Sequence, residues 1–128
     1  MPTNPVELVR EYLLAMGRRD TEQAATYLSV DLLLVFPQGR FDGLEQLTAA
    51  LADRYRSLNK THHTWDVSDL DPETSVVVTT GDLDGINCHG VAFSRIRFCD
   101  RFVVRHELIV EQHVWNDLAE SGVLLQHP

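Results

Sequence analysis

The sequence predicts an α+β domain in which three N-terminal helices pack against a strongly curved, mainly antiparallel β-sheet. The first observation is a change of period. Apolar residues recur at helical spacing up to about residue 59, and from residue 60 onward they alternate with a period of two. The second is the order of the elements, which reads helix, helix, strand, helix and then four mostly antiparallel strands. A bent sheet curled around a long helix encloses a cone with a pocket, and one domain is expected over residues 1–128.

The first helix is predicted from its start signal. Asn4 is a typical capping residue, Pro5 fits the first helical position, and Glu7 can reach back to the cap. Apolar residues then follow at helical spacing until Gly17, which can end the helix. Tyr12 joins this apolar face at its edge, so its side chain is expected at the border of the buried surface.

Three further elements are predicted before the period changes. A short helix begins at Asp20 and runs to about residue 28, and the continuous apolar run over residues 29–36 predicts a strand buried on both faces. The helix over residues 41–59 has the clearest pattern, because an apolar stripe runs along it and extends to Tyr55 and Leu58. This stripe is interpreted as part of the hydrophobic core.

The second half of the chain supplies the sheet. Weak alternation predicts a strand over residues 62–67, and β-branched residues predict another over residues 75–83. Two longer strands are predicted over residues 91–104 and 108–115, joined by a tight turn. The pattern of residues 118–128 does not decide whether this segment caps the cone, packs on a partner or extends into solvent.

Composition and charge exclude several classes of function. Hydrophobic residues are 44% and charged residues 23% of the chain, which is typical of a globular domain. The formal net charge of −8 argues against binding to nucleic acid or to an anionic membrane surface. No apolar run approaches the roughly 20 residues of a membrane span. The 2 cysteines form no disulfide framework and no leader segment opens the chain, so a cytoplasmic protein is expected.

Motifs for metals and nucleotide cofactors are missing from the sequence. The 6 histidines form no His-x-His set with a later carboxylate and no His-Glu-x-x-His motif, and there is no Cys-x-x-Cys pair. Glycine-rich phosphate-binding motifs and Gly-x-Ser-x-Gly are also missing. We therefore predict a protein that uses no metal and no cofactor.

Asp100 is the main candidate for a functional residue. Side chains of a strand alternate between its faces, so Asp100 shares a face with Phe98 and Phe102, whereas Arg97 and Arg101 lie on the opposite face. A carboxylate on an apolar face must be paired, be protonated or point into a cavity. Two interpretations stay open: a pocket acid that burial keeps neutral, or a structural aspartate bonded to Gln112, Tyr12 or a backbone amide.

Several other side chains are expected on the same inner face. With a short turn between the last two strands, Gln112 falls on the face of Asp100, where it would orient the carboxyl group or contact a ligand. One of His62 and His63 should face inward, and His63 is expected to do so together with Trp65 and to act as a base. Four aromatic residues either line the pocket or form plain core: Phe36, Trp65, Phe98 and Phe102.

Three segments of the chain carry a resemblance to a known superfamily. They are the amphipathic helix VELVREYLLAMGRRD, the segment YLSVDLLLVFPQGRFDGLEQL, and the closing hairpin with Asp100-x-Phe102 and then Ile109-Val110-Glu111. Over about residues 5–116 the order of elements resembles the nuclear transport factor 2-like superfamily, which includes ketosteroid isomerases and SnoaL-like polyketide cyclases. The resemblance is specific for the fold and weak for function, because one fold can host many activities.

The resemblance implies roles for particular residues. In ketosteroid isomerase, the known example of a buried neutral aspartic acid, this carboxyl group donates a hydrogen bond to the substrate oxyanion, and Asp100 falls at the matching place. Tyr12 matches the second donor. The family places a carboxylate base just before a proline at the end of the first strand. Phe36 stands there, before Pro37, so a true ketosteroid isomerase is not expected.

The leading hypothesis is a protein that binds a small apolar or polycyclic molecule in the cone. Resemblance to the SnoaL-like cyclases implies cofactor-independent acid–base chemistry on a lipophilic carbonyl compound, of cyclase or isomerase type, with Asp100, Tyr12 and His63 as catalytic candidates. The alternative is a non-catalytic ligand-binding or dimerisation module, so whether the protein is an enzyme stays open. The resemblance also implies a homodimer, formed through the arginine-bearing outer face of the sheet.

Overall fold

The computed structural model describes residues 4–124 as three helices and one six-stranded sheet. The sheet has the order β2-β1-β6-β5-β4-β3, and β1 runs parallel to β6 whereas the other neighbouring pairs are antiparallel. This architecture confirms the predicted α+β fold class. The elements are α1 (Pro5–Gly17), α2 (Thr21–Ala25), β1 (Leu28–Phe36), β2 (Gly39–Phe41), α3 (Leu44–Arg54), β3 (Tyr55–Asp71), β4 (Thr74–Asn87), β5 (Ala92–Arg105) and β6 (Leu108–Asn116).

The first helix has the predicted start and end. The side chain of Asn4 accepts a hydrogen bond from the backbone N–H of Glu7 at 2.8 Å, which satisfies one of the free donors of the first turn. Helix α1 buries one face against the sheet, and Tyr12 belongs to that buried face rather than to its edge. Asp20 caps α2 in the same way, with Oδ1 3.1 Å from the backbone nitrogen of Gln23.

The third helix is shorter than predicted. It ends at Arg54, and Tyr55 and Leu58 lie on β3, paired with Asn87 and Gly85 of β4. A register shift between Tyr55 and Ser57 explains why the helical spacing misled the prediction. Because a β-bulge inserts one residue, two apolar residues three positions apart can share one face of a strand. The strand expected over residues 62–67 is thus the middle of a much longer one.

The beginning of the sheet differs from the prediction in two ways. Strand β2 was not predicted, and its Phe41 pairs with Leu34 of β1. Strand β1 is not buried on both faces, because Val30 and Asp31 are exposed. Its pairing with β6 is irregular between Leu28 and Leu33, so the residues between them lack a regular partner strand on that side.

Two glycines of β4 allow β3 to approach it closely. A Cβ atom at Gly81 would overlap the carbonyl oxygen of Thr61, and one at Gly85 would overlap that of Ser57. Only glycine fits where a neighbouring backbone comes this near. At both positions a side chain would push β3 away from β4.

Two hydrophobic clusters close the ends of the cone. One joins α1 and α2 to the sheet around Val77, Phe102 and Ile109. The other joins the opposite end of the sheet to the segment after β6, where Leu118 and Val123 are buried. The side-chain amide of Asn87 donates to the carbonyl oxygen of Val123 at 2.6 Å, which fixes that segment. Residues 118–124 therefore cover the cone, and the rest of the predicted C-terminal segment, 125–128, lies outside the described residues.

None of the helices within residues 4–124 has the length and apolar character needed to cross a lipid bilayer.

Candidate functional site

A cavity of about 690 Å³ lies between α1, α3 and the inner face of the sheet. Much of its wall is apolar, including Leu47, Leu51, Leu83 and Val114. A cavity of this size and character is typical of sites that enclose a small organic molecule. Polar side chains interrupt the apolar wall on the sheet side and on α1, among them Tyr12, Lys60, His62 and Gln112.

Asp100 is fully buried behind this wall. Its Oδ2 atom forms a close ion pair with the ammonium group of Lys60, and its Oδ1 atom is buried without a hydrogen-bond partner among residues 4–124. Lys60 lines the cavity and Asp100 does not, so the cation stands between the carboxyl group and the cavity. Burial raises the pKa of Asp100 above its usual value, and Lys60 opposes part of that rise.

The sequence missed Lys60. It was expected just after the end of a helix, where a lysine is normally solvated, but it lies well inside β3, paired with Leu83 of β4. Its side chain is 22% exposed, and its ammonium nitrogen lies 4.9 Å from the centroid of the Phe98 ring. The partners considered for Asp100 from the sequence, Gln112 and Tyr12, are therefore replaced by Lys60. One signal in the sequence could have located Lys60. Residues two positions apart share a face of a strand, so Lys60 would have been placed beside His62 if the strand had been predicted to begin before residue 60.

Tyr12 and Gln112 form a second buried pair in the cavity wall. The hydroxyl group of Tyr12 donates to Oε1 of Gln112 at 2.9 Å, and the Tyr12 ring packs edge to face against Phe102. Burial, reinforced by the nearby charge of Asp100, raises the pKa of Tyr12 well above its usual value. The phenol therefore keeps its proton at neutral pH. Gln112 orients Tyr12 rather than Asp100, which refines the role expected from the sequence.

His62 faces the cavity and His63 faces solvent, so the expectation that His63 lies in the pocket is wrong. Nδ1 of His62 lies 2.8 Å from Oγ1 of Thr79, and its ring contacts Trp65 at 4.8 Å between centroids. The side chain of His63 is 55% exposed and its Nε2 lies 3.0 Å from Oδ2 of Asp82.

A β-bulge is the physical reason why His62 rather than His63 faces the cavity. His62 pairs with Gly81, and Thr64 pairs with the adjacent Thr80 of β4. His63 therefore has no partner of its own, and the register shifts between His62 and Thr64. The alternation of faces moves by one residue at the bulge. His62 and Trp65, which are three positions apart, thereby share the inner face.

The environment of His62 keeps its imidazole neutral. Partial burial, followed by the positive charges of Lys60 and Arg10, lowers the pKa of His62 from 6.5 to about 4. Because Nδ1 is engaged with Thr79, the ring nitrogen that stays available to a ligand is Nε2.

The predicted aromatic residues divide between the cavity and the core. Phe36, Trp65 and Phe98 line the cavity. Phe102 does not, because it is fully buried in the core cluster with Val77 and neighbouring residues of α1. Alternation places Phe98 and Phe102 on one face, but their positions along β5 decide which of them reaches the cavity.

The part of the chain from residue 4 to residue 124 contains no group of three His, Cys, Asp or Glu side chains arranged to hold a metal ion. The prediction that the protein uses no nucleotide cofactor stays a prediction.

A family model described as a SnoaL-like domain matches residues 9–112 of the sequence. The chain belongs to the SnoaL-like domain family. No curated protein matches this SnoaL-like chain.

Solved structures share the SnoaL-like cone at low sequence identity. An NTF2-like protein of unknown function from Burkholderia pseudomallei K96243 is 17% identical, with a TM-score of 0.83 over 98% of this chain and 100% of that one. A candidate SnoaL-like polyketide cyclase from Jannaschia sp. CCS1 is 14% identical, with a TM-score of 0.70 over 100% and 99% of the two chains. TerC, co-crystallised with polyporic acid, is 15% identical, with a TM-score of 0.76 over 93% and 95%. At these identities the likeness shows the fold.

In this SnoaL-like cone, an aromatic ring occupies the place where the isomerase resemblance requires a carboxylate. Phe36 lines the cavity and packs edge to face on Phe41, with 5.5 Å between the ring centroids. No Asp or Glu among residues 4–124 lines the cavity. Among residues 4–124, the polar side chains of the wall that could exchange a proton with a ligand therefore include no carboxylate, and they comprise Tyr12, Tyr55, Lys60 and His62.

Proposed function

We propose that this SnoaL-like domain binds a small lipophilic carbonyl compound in its cone and catalyses cofactor-independent proton transfer on it. One observation carries the proposal: a charged pair, Lys60 with Asp100, is built into the wall of a largely apolar cavity of about 690 Å³. A buried ion pair contributes little to stability compared with apolar packing of the same volume. Perturbed ionisable groups are concentrated at functional sites.

Lys60 takes the role that the sequence suggested for Asp100. Its ammonium group faces the cavity and would donate a hydrogen bond to the ligand carbonyl oxygen, where negative charge develops as an enolate forms. Asp100 is a positioning residue in this proposal, because it touches Lys60 and not the cavity. The Tyr12 hydroxyl in the same wall donates its one proton to Gln112 at 2.9 Å, so in this arrangement it is not free to act as the second donor that the resemblance implied.

His62 is the proposed base in place of His63. In the tautomer whose Nδ1–H donates to Thr79, Nε2 of His62 carries the free electron pair of a base, and the His62 side chain lines the cavity. A pKa of about 4 makes it as basic as a carboxylate, the group that serves as the base in ketosteroid isomerase. Nε2 would take a proton from the carbon next to the carbonyl, and the C–H electron pair would form the enolate. Return of the proton to a second carbon gives an isomer. Alternatively, the enolate carbon attacks a second carbonyl to close a ring, and the alkoxide that forms takes the proton back from His62.

Two relatives support the ligand class. One is described as a candidate polyketide cyclase and another was co-crystallised with polyporic acid. Our proposal carries a lipophilic carbonyl ligand of this general kind over to the present chain. The homodimer expected through the outer face of the sheet stays a prediction, and the proposed chemistry does not depend on it.

The alternative function is a non-catalytic ligand-binding module. Phe36 favours it, because an apolar ring replaces the base at the position expected from the isomerases. The two functions differ in whether bound ligand exchanges protons with the protein.

Deuterium exchange into 2-tetralone, a bicyclic ketone with acidic α-protons, tests the proposal by proton NMR in D₂O. We expect wild-type protein to accelerate exchange above the buffer rate and His62→Gln to lose roughly 10²-fold or more, the usual contribution of a general base. His63→Gln, which changes an exposed neighbour, is the matched control and should keep wild-type exchange. Binding of 2-tetralone without exchange would favour the non-catalytic module. Absence of both binding and exchange would refute the proposed ligand class.

A further inference from the structure

The charged side chains that line the cavity are all cations. The chain has 19 Asp and Glu against 11 Lys and Arg, so an acidic lining is the ordinary expectation. Instead, among residues 4–124 the cavity wall contains no acidic side chain and four basic ones: Arg10, Arg18, Arg19 and Lys60. The sign of the lining is therefore opposite to the net charge of the protein.

Most of this positive charge is not neutralised within the protein. Asp100 pairs with Lys60 from behind the wall. Arg10, Arg18 and Arg19 form no ion pair within 4.0 Å with any carboxylate of residues 4–124. All three are exposed as well as lining the cavity, so they lie where the cavity meets solvent. The cavity thus keeps an uncompensated positive charge.

Three of these cations are held in place. The guanidinium carbon of Arg10 lies 4.9 Å from the centroid of the Trp65 ring, and the Lys60 nitrogen lies 4.9 Å from that of Phe98. Nη2 of Arg19 donates to the carbonyl oxygen of Arg56 at 2.8 Å. A low-dielectric wall between fixed like charges concentrates their field inside the cavity and raises the local concentration of ions of opposite sign.

We infer that the ligand of this cavity is a lipophilic organic anion, whose charged oxygen belongs to a carboxylate or an ionised enol. The apolar wall favours a lipophilic body, and the field of the three exposed arginines favours a negative group near the cavity entrance. A neutral ligand would cover these cations without giving them a partner. The inference deepens the proposed function and rests on its first part, that the cavity holds a small lipophilic molecule.

Two dyes with the same ring system separate charge from lipophilicity. 1-Anilinonaphthalene-8-sulfonate carries one sulfonate, and N-phenyl-1-naphthylamine is the same skeleton without it. We expect fluorescence titration to give a Kd for the sulfonate at least about tenfold lower than for the neutral dye in 20 mM salt. The advantage should shrink in 1 M NaCl, where the Debye length falls to roughly 3 Å.

Two variants connect the preference to the cavity. Arg10→Gln should weaken sulfonate binding several-fold and leave the neutral dye unchanged, because Arg10 lines the cavity and is unpaired among residues 4–124. Arg105→Gln removes an exposed arginine that does not line the cavity, so it should change neither Kd.

Each other outcome overturns the inference. Equal affinity for both dyes, or equal weakening by Arg10→Gln and Arg105→Gln, would refute a specific anion site while leaving the binding of lipophilic molecules intact. Binding of neither dye would refute the proposed function together with the inference.

Discussion

Two ion pairs of this protein join the same kinds of group in opposite surroundings. In the Lys60–Asp100 pair on the inner face, the side chains are 22% and 0% exposed, whereas in the Arg97–Asp117 pair at the surface they are 82% and 36% exposed. Inside, little water screens the charges, and each would be costly to bury alone. Outside, solvent replaces either partner at little cost. Solvation, rather than the pairing itself, therefore makes the inner pair a candidate for function.

The adjacent histidines repeat this contrast. His62 and His63 each bond to a side chain of β4, Thr79 for the first and Asp82 for the second. Only His62 lies among aromatic rings and faces the cavity. Two neighbours in sequence thus occupy a candidate site and an ordinary surface.

The largest expected effect comes from breaking the inner pair. Lys60→Met leaves Asp100 buried without a counter-charge, and we expect a loss of about 3–5 kcal/mol in the free energy of unfolding at pH 8. Because burial raises the pKa of Asp100, the folded variant binds a proton more tightly than the unfolded chain. The stability of the variant should therefore fall as pH rises from the pKa of Asp100 in the unfolded chain to its higher pKa in the folded variant. Urea unfolding at pH 5 and pH 8 measures both effects.

The double variant Lys60→Met/Asp100→Asn is the control for this experiment. It removes both charges together, so most of the lost stability at pH 8 should return. A loss within about 1 kcal/mol for Lys60→Met alone would contradict the strong dependence of Asp100 on its partner.

The next effect concerns the pH dependence of the inner histidine. The pKa of His62 is lowered to about 4 in the folded protein, against 6.5 for the free side chain. The unfolded chain therefore binds more protons between these values, and the stability contributed by neutral His62 is lost as pH falls from about 6.5 toward 4. NMR titration of the imidazole carbons gives the pKa directly, and unfolding at pH 7 and pH 5 should show a smaller decline for His62→Gln than for wild type.

His63→Gln is the matched control, since it removes the neighbouring ring from the surface. A titration midpoint of His62 near 6.5 would mean that water reaches its ring freely, and the neutral base of the proposed mechanism would lose its support.

The smallest expected effect comes from breaking the outer pair. Nε of Arg97 lies 2.6 Å from Oδ2 of Asp117, but both side chains are well solvated. Arg97→Ala should leave the free energy of unfolding almost unchanged, and any effect should shrink in high salt. Chemical denaturation alongside Lys60→Met makes the comparison direct. A loss as large as that of Lys60→Met would show that solvation does not distinguish the two pairs.

Local sequence patterns were sufficient to predict the starts of the first two helices and part of the candidate site. The caps at Asn4 and Asp20 were readable because capping depends on residues three positions apart. The inner location of Asp100 followed from alternation along β5. The two-residue turn at His106 and Glu107, both with positive φ, would by itself pair Gln112 with Arg101, and the register shift between Val103 and Val104 brings Gln112 opposite Phe102 on the inner face instead. The caps and the alternation along β5 depend on neighbours in the chain, whereas the register shift that places Gln112 depends on how β6 pairs with β5.

Residue patterns were therefore enough to predict the α+β fold class, the SnoaL-like resemblance and the location of Asp100 among aromatic residues. Tertiary structure alone decided that Lys60 pairs with Asp100, that His62 rather than His63 faces the cavity, and that the cavity lining is basic. The physical reason is that β3 becomes a long strand only by pairing with β4, and its bulges are set by that pairing. Each bulge moves every later side chain to the other face, so a period of two read along β3 could not locate the residues of the site.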